Sequence, residues 1–201
     1  MLTQTQEQIL IFLLSNPEKQ LTIRGIAKRL GKSYTLVYNN ISDLDKKKII
    51  TKQSVPPAQI IRLNEFAPAD VLIDIELKRR KKFLKKYLWV ELMLEDILNS
   101  TKNIFFILLV FGSYAKETQT IKSDLDLLII VQAKKNIKSI EETICTAHTK
   151  VKKGLNFVDI EDFKEMILNP NSLNIGNEAR KYHVILYGVE EYYQLLKRSY
   201  K

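Results

Sequence analysis

Residues 104–131 read IFFILLVFGSYAKETQTIKSDLDLLIIV. Two apolar runs, 104–111 and 125–131, predict buried strands. Between them stand a Gly-Ser pair, Gly112-Ser113, and a polar stretch that ends in Asp124-Leu125-Asp126. Residues two apart on a strand share a face. Asp124 and Asp126 therefore point together, and Leu125 and Leu127 point into the opposite layer. Paired carboxylates repel unless a cation neutralises them, and burying them unsatisfied is costly.

That cation is of a restricted kind. The chain has one cysteine, Cys145, and two histidines, His148 and His183, too few for a usual zinc site. Hard-cation chemistry remains, and Mg²⁺ favours one or two carboxylates together with phosphate oxygens and water. A phosphate would approach from the turn. Gly112 lets the backbone come close, and Ser113 offers a hydroxyl and an N–H at a helix start expected over 114–117.

The stretches on either side fill out an α/β (α+β) chain of two domains. The sequence has 201 residues, is 45% hydrophobic, and carries a formal net charge of +9 with a pI near 9.4. A sizeable core is therefore available, and the charge favours a polyanionic partner such as nucleic acid or nucleotide. The longest apolar run is too short to span a bilayer. The N-terminus lacks the pattern of a signal peptide, and one cysteine excludes an intramolecular disulfide framework; a cytoplasmic protein is expected.

Residues 1–64 predict three helices and a hairpin. Pro17 follows the first helix, Thr22 caps the second and Gly31 ends it, and Ser33 caps the third. Two β-rich arms then flank Pro56-Pro57. This order resembles a winged helix-turn-helix domain, whose third helix would read duplex DNA. Lys32, Ser33, Tyr34, Thr35, Tyr38 and Asn39 lie at its entry, with Lys52 on the wing; these side chains suit phosphate and base-edge contacts. Such domains also serve as protein-docking modules. Residues 65–103 predict one long basic helix linking the two domains and offering a seam for a homodimer. Its block of Lys78, Arg79, Arg80, Lys81, Lys82, Lys85 and Lys86 suits either a phosphate backbone or a solvated face.

From 104 to 201 strand and helix patterns alternate, giving a mixed sheet. Gly-Ser, ten residues ending in Ser123, then Asp-x-Asp resembles the nucleotidyltransferase superfamily of DNA polymerase beta, especially its minimal prokaryotic members. Ala115 fits the pattern, and HVILYGVEEYYQLL looks like the tail of archaeal members. The resemblance implies a Mg²⁺-dependent enzyme that moves a nucleotidyl group from an NTP to a hydroxyl. Gly112, Ser113, Lys122 and Ser123 would bind the nucleotide, and Asp124 and Asp126 the metal.

Two departures stand out. Glu117 occupies a position where the family often has glycine. The third family acid, which deprotonates the hydroxyl, aligns with Asn156 in LNFVDIEDF, and an amide cannot act as a base. Asp159 is the remaining candidate for a catalytic acid, although its place before a helix expected over 160–168 also suits an N-cap. The alternative is a DNA-binding regulator whose second domain binds nucleotide and metal with little or no transfer.

Overall fold

A computed structural model of the chain describes residues 1–64, 66–101, 104–132, 137–146 and 150–199, with no side-chain description at 139, 198 and 199. His148 lies outside these. The chain divides into two compact units, Met1–Ile75 and Glu76–Lys201.

In the first unit, α1 (Gln4–Leu14) opens on a capping box: the Thr3 hydroxyl accepts from Gln6 N–H, and the Gln6 side chain accepts from Thr3 N–H. Helix α2 (Ile23–Leu30) is capped by Thr22 and stopped by Gly31, whose φ of 63° is the left-handed conformation glycine tolerates. Helix α3 (Tyr34–Lys46) is capped by Ser33. Strands β2 (Ile50–Val55) and β3 (Ala58–Leu63) form the expected hairpin. A two-residue strand, β1 (Leu21–Thr22), adds to the outer side of β3, giving an antiparallel sheet in the order β1-β3-β2. Ile9, Leu10, Leu13, Ile26, Val37, Ile41, Leu44 and Ile61 are buried between helices and sheet.

The stretch 65–103 is not one linking helix. Helix α4 (Ala69–Lys86) ends at Tyr87, and α5 (Leu88–Ser100) begins there. The Tyr87 ring lies 4.7 Å from that of Phe83 and 5.3 Å from that of Tyr114, and its hydroxyl accepts from the Gln119 amide. Val90, Met93, Leu94 and Ile97 of α5 enter the core of the second unit, so this helix is part of that domain. Arg79, one of the seven cations of the basic block, is buried: it donates to Glu76 Oε1 at 2.7 Å and to the His183 carbonyl at 2.8 Å.

The second unit holds β4 (Phe106–Phe111), α6 (Gly112–Ala115), β5 (Leu125–Val131), α7 (Ile137–Thr146), β6 (Lys153–Asp159), α8 (Ile160–Leu168), α9 (Ile175–Lys181), β7 (Val184–Tyr187) and α10 (Val189–Ser199). The sheet order is β6-β5-β4-β7, with β4 antiparallel to β5 and β7, and β5 parallel to β6. This is a mixed sheet covered on both faces. Phe106, Leu108 and Val110 join Leu125, Leu127, Ile129 and Val131 on the face shared with α5 and α7. Helices α8, α9 and α10 pack on the same sheet and bury Phe163, Ile167, Ala179 and Tyr192. Among the described residues no helix is long and apolar enough to cross a membrane.

Candidate active site

The strand pairing brings the Gly-Ser turn and the Asp pair together. Phe111, the last residue of β4, pairs with Asp126, so the chain leaves β4 into Gly112 directly beside that carboxylate. Gly112 has φ 64°, and a Cβ there would collide with Asp126 Oδ2. On the other side Asp126 pairs with Gly154 of β6, where a Cβ would come within 2.8 Å of Oδ1. Both flanks of the carboxylate are thus kept clear by missing side chains. The helix expected over 114–117 is instead one turn, 112–115, and Glu117 follows it at φ 56°. That left-handed backbone is one that glycine adopts freely and a side chain resists.

Asp126 and Asp124 are both half-buried. Burial first, then the charges of Asp124 and Glu178, raises the Asp126 carboxyl above its ordinary value, and Lys116 opposes them. Two lysines stand by the pair. Lys152 Nζ lies 3.1 Å from Asp124 Oδ2. Lys116, just past the Gly-Ser turn, is 3.6 Å from Glu178 of α9 and sits over the Tyr182 ring at 5.1 Å.

Other expected site residues serve local structure. The Ser123 hydroxyl accepts from Thr120 N–H at 2.9 Å and closes the turn before β5, and Lys122 is exposed. Asn156 pairs with Leu128, one step deeper along the carboxylate face than Gly154; its Nδ2 lies 3.3 Å from the Leu127 carbonyl and 3.5 Å from that of Gly154. Asp159 stands apart from the carboxylate pair. It pairs with Val131, five residues along β5 from Asp126 and so about 16 Å away at a strand rise of about 3.3 Å per residue. There it caps α8 by accepting from Asp162 N–H at 2.8 Å.

In the first unit Tyr34 and Tyr38 are 52% and 47% exposed, with rings stacked 6.1 Å apart. Thr35 and Asn39 are exposed and Lys32 half-buried beside them. The Ser33 hydroxyl is engaged as the α3 cap, accepting from Leu36 N–H. Lys52 is tied to Asp45 at 2.9 Å, so it is not a free cation on the hairpin.

Gly154, Lys152, Lys116 and Glu178 escaped sequence reasoning. Glycine inside a strand pattern marks a close approach and was the available signal for Gly154. The two lysines and Glu178 depend on register and on how α9 returns to the sheet, which no local pattern encodes.

Residues 93–174 match the family model described as Polymerase beta, Nucleotidyltransferase. No curated protein and no solved structure matches the chain. The matched residues run from α5 to just beyond α8 and contain Gly112, Ser113, Asp124, Asp126 and Gly154; over this stretch the chain is similar to that nucleotidyltransferase family.

Proposed function

We propose that the second unit binds an NTP with Mg²⁺ at Asp124 and Asp126 and transfers its nucleotidyl group to a hydroxyl acceptor. The observation that carries this is the juxtaposition of the Gly112-Ser113 turn with a carboxylate pair whose inner member is flanked by two glycines. The residues fit a divalent cation. They are two carboxylates on one face, already facing a positive charge at 3.1 Å, with Asp126 set closely between two glycines. When bound, Mg²⁺ supplies charge neutralisation for the carboxylates and the phosphate oxygens. Gly112 admits the phosphates against the backbone, and Ser113 offers a hydroxyl and an N–H to them. Asp124 and Asp126 fix where the α-phosphate can lie, and positioning of this kind carries most of the catalysis in phosphoryl chemistry.

The test is incubation with labelled NTPs and Mg²⁺, comparing the chain with Asp124→Ala. Label should pass to a macromolecular or small hydroxyl acceptor only with Asp124 intact. Equal labelling by both proteins would refute the assignment.

A second reading is favoured by β6. It turns a glycine and an amide toward the carboxylate face, and Lys152 just before it adds a lysine, where the resemblance calls for an acid. On that reading the unit binds Mg-NTP and transfers little, and the chain is a regulator. Tight binding by calorimetry without label transfer would select it.

In either case the first unit is read as a winged helix-turn-helix that binds duplex DNA, with the exposed tyrosine stack and Lys32 at the entry of α3. Replacing a lysine that neutralises one phosphate should lower the salt slope of binding by roughly one. Gel shifts showing no DNA binding by the full chain at low salt would point to protein docking.

A further inference from the structure

Lys152 is placed by the sheet. Leu125 pairs with Lys153, and Leu125 N–H donates to the Lys152 carbonyl at 2.8 Å, so the ladder holds the Lys152 backbone beside Asp124. Side chains of paired residues in a parallel sheet share a face, so Lys152, Gly154 and Asn156 line the same side as Asp124 and Asp126. Gly154 contributes no side chain and the Asn156 amide lies against backbone carbonyls. The charge brought to this face is therefore that of Lys152, the residue just before β6, 3.1 Å from Asp124.

The two lysines of the site differ in freedom. Lys116 is held between Glu178 and the Tyr182 ring. Lys152 is 82% exposed, and Asp124, its partner, is 37% exposed. A lysine is a point charge on a flexible stem, and an exposed ion pair of this kind is weak enough to exchange.

We infer that Lys152 is the built-in counter-ion of the carboxylate pair: it competes with a divalent metal for Asp124, moves to the triphosphate when nucleotide arrives, and so makes metal binding depend on nucleotide. The inference rests on the reading of Asp124 and Asp126 as the metal-binding pair. It assigns a new part to the entry of β6: the residue just before that strand supplies the cation that leaves the pair when substrate enters.

Mn²⁺ binding to the full chain, followed by the paramagnetic resonance of free Mn²⁺ with and without a non-hydrolysable NTP analogue, tests it. Without the analogue, Lys152→Met should bind Mn²⁺ about two- to fivefold more tightly, the range of a weak exposed pair, and Lys152→Arg should match the unaltered chain. The analogue should bind Lys152→Met more weakly and erase its advantage for Mn²⁺. If Lys152→Met and the unaltered chain bind Mn²⁺ alike while Asp124→Asn does not bind it, the counter-ion role is wrong and the metal pair stands. A gain in Lys152→Met that persists undiminished with the analogue overturns the transfer to triphosphate. If Asp124→Asn binds as the unaltered chain does, the metal pair itself is wrong and the inference falls with it.

Discussion

Asp126 lies between Gly112 and Gly154, with one carboxylate oxygen turned toward each glycine Cα. A methyl group at either place would occupy the space of an oxygen. Gly154→Ala should therefore rotate the carboxylate while leaving the sheet paired. Displacements of about an ångström at a reacting centre cost up to about a hundredfold. Mg-NTP affinity measured by calorimetry should fall by between about tenfold and that limit, with far-UV circular dichroism unchanged. Gly112→Ala adds backbone strain to the same collision and should be worse in both affinity and thermal stability. Unchanged affinity in Gly154→Ala would mean that the Asp126 carboxylate does not bind.

Asp126 holds its proton more tightly folded than unfolded, through burial and the charges of Asp124 and Glu178. A raised carboxyl works against the fold wherever it is ionised. The penalty is fully present above the folded-state value and fades as pH falls toward the ordinary carboxylate range. Asp126→Asn should raise the melting temperature at neutral pH, and the gain should shrink as the pH is lowered to about 4, near the reference value of an aspartate. The same variant should lose metal binding. A stability gain independent of pH would show that ionisation of Asp126 is not its source.

Glu117 carries a left-handed backbone at φ 56° just after the Gly-Ser turn. Glu117→Gly should relieve the strain and raise stability by about 0.5–1 kcal/mol, after the larger chain entropy of glycine is set against it. Denaturant melts would show the midpoint rise at constant slope. A fall in midpoint would mean that the Glu117 side chain contributes more than its backbone costs.

Asp159 and Asn156 should behave as structural residues. Asp159→Ala removes the α8 cap and should cost about 1 kcal/mol, with nucleotide affinity unchanged. Asn156→Asp exchanges a donor facing two carbonyls for an acceptor, and should cost about 1–3 kcal/mol without raising transfer. Restored transfer in Asn156→Asp would show that the new carboxylate turns outward to the metal pair.

The strand that carries Asp126, residues 125–131, is readable to the residue because all its other residues are apolar and polar sequence bounds it. The caps at Thr22, Ser33 and Asp159 follow from side chains that accept from the third residue on. The helix break at Tyr87 is not readable. No proline or glycine marks it; the tyrosine is pinned by the ring of Tyr114 and the amide of Gln119, both distant in sequence. Strand β1 is too short to leave a pattern. Of the site, the turn and the acid pair are local and legible, whereas Gly154 opposite Asp126 follows from register alone.

The buried Glu76 carboxylate has one partner nearby in sequence and two far along the chain. Its oxygen Oε1 receives Arg79, lies 3.5 Å from His183 Nε2 and accepts from the Tyr193 hydroxyl at 3.5 Å. Strand β7, which covers the outer side of the fully buried β4, is supplied by the same late segment. During synthesis the first unit is complete while the second still lacks these residues. At about 5–20 residues per second the wait from Glu76 to Tyr193 lasts roughly 6 to 23 s. Throughout that interval β4 presents an open hydrogen-bonding edge and Glu76 stays in water. The nascent second unit therefore closes only when β7 and α10 have emerged.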